Sequence, residues 1–68
     1  LTGAQIKQRF HDDPKGVAKT FHLVLKDFGY PVLQEYVETE MKRLVDGGSP
    51  KGGPSMFLAR WLKNGIEE

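Results

Sequence analysis

The chain has 68 residues with a formal net charge of +1, which allows one small domain and withholds the strongly basic balance expected of a dedicated nucleic-acid protein. It has no cysteine, so neither a disulfide framework nor a thiolate metal site supplements the core. No apolar run approaches the roughly 18 residues of a membrane span, and the opening LTGAQIKQRF has neither a signal-like apolar core nor an initiator methionine, which favours an intracellular setting and a piece excised or processed from a longer chain.

Four helices are predicted, each marked by punctuation as well as by period. Thr2 followed three residues later by Gln5 is a capping-box pattern, in which hydroxyl and amide serve each other's exposed backbone donors. Ile6 and Phe10 then share one face of a helix over 3–11. Asp13-Pro14 opens a second helix over 14–28, with Asp as cap and Pro where its missing donor is harmless. Val17, Ala18, Phe21, Val24, Leu25 and Phe28 form its inner stripe. Gly29 is its stop, and Tyr30 stands where a Schellman motif places a contact back to Leu25.

Pro31 introduces a third helix over 32–46, with Leu33, Val37, Met41 and Leu44 inside and Val45 at the edge. Its Glu38 and Lys42 form an i,i+4 pair in the favourable order. Gly47 ends it, and a flexible glycine-rich connection over 47–53 leads to a fourth helix over 54–64 carrying Phe57, Leu58, Trp61 and Leu62. Gly65 closes that helix, Ile66 is placed to pack on Trp61, and Glu67 and Glu68 lie beyond the stop. The expected fold is all-α, a small bundle of four short helices built around a central antiparallel helical hairpin. Alone, the last helix is too short to be stable in water, so it must dock; docking at home is the simpler expectation, since three helices leave a thin core.

Chemistry is sparse. Gly47 and Gly52 have the separation of a phosphate-binding loop, but Gly53-Pro54 stands where Lys-Ser/Thr is required, and no strand precedes it. A weak anion site is the candidate at the start of the last helix, from the amides of Ser55 and Met56 with Lys51 nearby. His11, Asp12 and Asp13 are consecutive and do not converge, so no metal is expected. No nucleophile motif is present; neither a catalytic residue nor a cofactor is expected.

Two surfaces suit a partner. Lys15, Lys19, His22 and Lys26 are spaced four, three and four apart, a basic stripe on one face of the second helix suited to phosphates or an acidic partner. No aromatic lies within it to stack bases. On the third helix Val32, Tyr36, Thr39 and Arg43 share a mixed apolar, aromatic and arginine face of the kind found at interface centres. A helix-turn-helix reading of LKDFGYPVLQEYVETEMKR fits poorly, because Glu35, Glu38 and Glu40 would face a phosphate-lined groove. DPKGVAK, DFGY and DGG loosely resemble bacterial Nif11-type leader segments over about half the chain. The second helix is about a turn too long and the tail has no cysteines, so the resemblance stops short of membership. The expectation is a non-catalytic module binding another protein, with nucleic-acid binding through the lysine stripe as the alternative. A peptide precursor cut after Gly48 is a weaker one.

Overall fold

The computed structural model describes residues 2–65. They form α1 (Gly3–Asp12), α2 (Pro14–Asp27), α3 (Gln34–Val45) and α4 (Pro54–Asn64), with no strand among the described residues. The expected contact of Ile66 with Trp61, and the placement of Glu67 and Glu68, lie outside the described residues.

The helix boundaries are local hydrogen-bond devices. At the start of α1 the Gln5 amide donates to the Thr2 hydroxyl (3.2 Å) and the Thr2 amide to the Gln5 side chain (2.8 Å), the reciprocal box. Asp13 serves two helices: its amide closes α1 on the Arg9 carbonyl (2.8 Å), while its carboxylate accepts from the Gly16 amide (3.2 Å) and caps α2. The elbow between α1 and α2 is therefore one residue long. At the far end of α2, Gly29 takes φ 85°. The Tyr30 amide then reaches the Leu25 carbonyl (2.8 Å) and the Gly29 amide that of Lys26 (3.0 Å), the crossed pair of a Schellman motif. Gly47, at φ 97°, repeats the device: the Gly48 amide bonds the Arg43 carbonyl at 2.8 Å.

The segment between α2 and α3 departs from the periodic pattern. α3 begins at Gln34, and Leu33 before it is extended (φ −79°, ψ 149°). Successive side chains of an extended chain point to opposite sides, so Val32 packs against the core while Leu33, expected inside, is 74% exposed. Phe28 is corrected for a related reason: α2 ends at Asp27, and the ring one residue beyond is 64% exposed. The connection delivers Gln34 to the first turn of α2, where its side-chain amide reaches the Lys15 carbonyl (3.5 Å).

Every helix supplies the core: Ile6 and Phe10 from α1, Ala18, Phe21 and Leu25 from α2, Val37, Met41 and Leu44 from α3, and Leu58, Trp61 and Leu62 from α4. The last helix thus docks on its own domain, with the Trp61 ring edge-on to Phe21 at a centroid distance of 4.0 Å. Where α1 starts, the approach to α4 is so close that a Cβ on Gly3 would overlap the Leu62 carbonyl.

Gly3→Ala is a test of that approach because two effects oppose each other in sign. Helix propensity alone predicts a gain of roughly 0.5–1 kcal/mol, whereas overpacking costs about 1–3 kcal/mol. The packing effect is expected to win, lowering the urea midpoint. A variant more stable than the parent would show that α1 and α4 stand further apart.

Candidate functional site

The polar groups of Tyr36 and Arg43 on α3 are engaged within the molecule. Tyr36 hydrogen-bonds the Ser55 hydroxyl (3.1 Å) across the α3–α4 junction, and Ser55 is fully buried. Arg43 donates to the Glu40 carboxylate through Nε (3.0 Å) and Nη2 (2.5 Å), and through Nη1 to the Ser49 carbonyl. Glu40 itself is 6% exposed. Glu40 was not among the residues expected inside the third helix. Three residues beyond Val37 and four before Leu44, it falls on the buried stripe, where a charge persists only when paired and hydrogen-bonded.

The Arg43 hydrogen bonds hold the Glu40 carboxyl below its usual value, helped by the Ser55 hydroxyl and the positive charges of Arg43 and Lys51, while burial pushes the other way. Arg43, Glu40, Ser55 and Tyr36 therefore form one polar clasp joining α3, the glycine-rich connection and the start of α4. Within the Val32, Tyr36 and Arg43 face, Val32 packs on the core and Arg43 is occupied, leaving Tyr36, at 38% exposure, with the largest free surface.

The expected anion site lacks open donors. The Ser55 amide bonds the Gly52 carbonyl (3.2 Å) and the Met56 amide that of Gly53 (3.1 Å), closing the first turn on itself, so Lys51 stands beside satisfied amides. The connection is also tied down on its α3 side, by the Gly48 amide and by the Ser49 carbonyl, both held by Arg43. The basic stripe presents Lys15, Lys19 and Lys26 to solvent, but His22 is turned half inward, its Nδ1 buried with no hydrogen-bond partner among the described residues. Among the described residues no group of three or more His, Asp or Glu side chains is arranged to hold a metal ion, and no helix is long and apolar enough to cross a membrane.

A different surface emerges at the end of α2. The exposed Phe28 ring lies 4.8 Å from Phe57, which in turn is 6.5 Å from Tyr30 and 6.1 Å from Trp61, by ring centroids. With Phe21 against Trp61, five aromatic rings run from the core to solvent. Met56, 56% exposed, precedes Phe57 on α4.

Val17, Phe21 and Val24 on α2 and Phe28 just beyond its end recur at steps of four, three and four, so they share one flank. It leads into a cleft of about 230 Å³ with Ile6, Val17, Phe21 and Trp61 as its apolar lining and Arg9, Asp13 and Thr20 as its polar lining. That volume is below the roughly 300–1,000 Å³ of small-molecule pockets, and suits protruding side chains better than a whole ligand. Sequence periodicity assigned Phe28 and Phe57 to the core; Phe57 is half-buried and packs against it, whereas Phe28 is exposed, and the available signal was Gly29, which ends the helix before Phe28 can complete a turn.

No family model, no curated protein and no solved structure matches this chain.

Proposed function

We propose that this domain is a non-catalytic interaction module that binds another protein through the Phe28–Phe57 ridge and the cleft beside it. The observation that carries this reading is Phe28, a large aromatic left 64% exposed yet ordered against a second ring. Burying such a side chain fully is worth roughly 1.5–3 kcal/mol, and aromatic anchors beside pockets are the residues that dominate binding energy. Met56, and Tyr36 across the α3–α4 junction, extend the apolar surface. The lysines at positions 15, 19 and 26 lie on the other flank of α2 and serve solubility or a separate contact.

Site-specific photocrosslinking in the host cell distinguishes the surfaces. With a benzoylphenylalanine at position 28 the expected result is a discrete adduct with another protein, absent when the probe is at Lys7 or Lys19. An adduct formed at Lys19 instead would transfer the function to the basic stripe. No adduct at any of the three positions would remove the interaction reading.

A further inference from the structure

The middle of α1, the last turns of α3 and α4 and the connection over 47–53 enclose a depression of about 220 Å³ that shares no lining residue with the ridge or its cleft. We infer that this depression binds a phosphate monoester with a small apolar body. The fold brings two ammonium groups there from separate helices. α1 starts against the end of α4, where a Cβ on Gly3 would overlap the Leu62 carbonyl. Lys7 lies four residues on, over the same face of α1, and Lys63 stands in the last turn of α4; both line the depression. Beneath them Leu44 and Leu62 are buried, and Ala59 and Pro50 complete the apolar lining.

Among the described residues no carboxylate lines this depression. Glu40 is committed to Arg43, and Asp46, two residues before Gly48, lines a different hollow with His11 and Lys42. The Gly48 amide, at the edge of the depression, is spent on the Arg43 carbonyl, so the attraction rests on the two lysines. The start of α1 and the end of α4 meet there, and their opposed dipoles leave the sign of the charge to the side chains. Two like charges in one hollow repel until an anion lies between them. A phosphate monoester carries about −1.5 to −2 at neutral pH, enough for both ammonium groups, whereas a carboxylate carries a single charge. The volume is below the roughly 300–1,000 Å³ of ordinary small-molecule pockets, so the body resting on Leu44 and Leu62 is one ring or a short chain. Lys15, Lys19 and Lys26, by contrast, stand in a row along one helix.

Phenyl phosphate, titrated into the intact chain at low salt and followed by amide chemical shifts, tests this. Saturable shifts are expected at Lys7, Gly48, Leu62 and Lys63. Binding should be about fivefold tighter than that of benzoate, the effect of one added unit charge at contact distance in water. Lys7→Gln/Lys63→Gln should abolish the saturation, whereas Lys15→Gln/Lys19→Gln, an equal loss of charge on α2, should keep it. All four lysines are exposed, so both variants should retain the circular dichroism of the parent. Equal loss in the two variants would reduce the effect to a general attraction of anions and overturns the site, as does the absence of saturable binding. Benzoate that binds as tightly as phenyl phosphate overturns the choice of phosphate. Glu67 and Glu68 follow Lys63 by four and five residues, so Glu67→Gln/Glu68→Gln is titrated as well. Binding found only in that variant would assign the two ammonium groups to the chain's own carboxylates and overturns the inference.

Discussion

Phe21→Ala is expected to leave the domain close to unfolded at room temperature, with Trp61 emission shifted to the red and helical ellipticity largely lost. Phe21 is 1% exposed and its ring meets Trp61 at 4.0 Å with an interplanar angle of 61°, so the truncation removes both a buried ring and its edge-on partner. Losses of this kind run to about 3–5 kcal/mol. A 68-residue domain holds only about 3–10 kcal/mol in total at the usual 0.05–0.15 kcal/mol per residue, and this one has no disulfide to supplement it. Phe28→Ala supplies the internal comparison. Its ring already faces water and chiefly loses the contact with Phe57, a change of about 0.5–1.5 kcal/mol. Thermal melts of the two variants should therefore separate widely. Equal midpoints would mean that the burial assigned to one of the two rings is wrong.

That pair also shows what could be read from the sequence and what could not. Phe21 and Phe28 stand seven residues apart on one periodic stripe, and period alone assigns both to the core. Only the place where α2 stops, and the route the chain takes afterwards, separates them. Features closed within a few residues were legible: the Thr2–Gln5 box, the Asp13 cap, and the Gly29–Tyr30 turn all depend on side chains and amides that are neighbours in sequence. The four helices, and the fold class with them, follow from those devices and from the apolar spacing.

The site was legible only in part, because it depends on contacts between elements. Tyr36 was recognisable as chemically mixed, but its bond to Ser55 crosses nineteen residues and follows from how α4 lies on α3. Leu33 turned outward because the chain before α3 is extended, which no helical wheel represents. The cleft is a property of the space that α1, α2 and Trp61 enclose, so it has no sequence signature of its own. What the sequence did provide was two of its lining residues, Val17 and Phe21, which stand one turn apart on one stripe.

The clasp around Glu40 yields the second large effect, and its pH dependence identifies the group responsible. Arg43→Ala leaves a carboxylate that is 6% exposed without the guanidinium that hydrogen-bonds it. Breaking a buried pair from one side costs about 3–5 kcal/mol; the partial exposure of Arg43, 29% for its side chain, brings the expectation to the lower end, about 3 kcal/mol. In the parent, the folded Glu40 carboxyl lies below its usual value, held there first by the Arg43 hydrogen bonds. A depressed carboxyl stabilises the fold fully above the unfolded value and ceases to do so as the pH falls through the folded one. In Arg43→Ala the main cause of the depression is gone and burial, which favours the neutral acid, remains. Acid then removes an advantage from the parent while relieving a penalty in the variant. Urea unfolding at neutral pH, near pH 5 and near pH 3.5 should show the two stabilities converging as the pH drops. A gap that stays constant with pH would mean that Arg43 stabilises through its packing and its bond to Ser49, not through the charge on Glu40. Glu40→Leu/Arg43→Leu separates the pair from its volume: removing both charges together should recover much of the loss at neutral pH, since a buried ion pair is often matched by apolar side chains. That double variant should also lose the acid sensitivity that Glu40 confers, while its connection over 47–53, no longer held at the Ser49 carbonyl by the Arg43 side chain, exchanges amide hydrogens faster than the parent's.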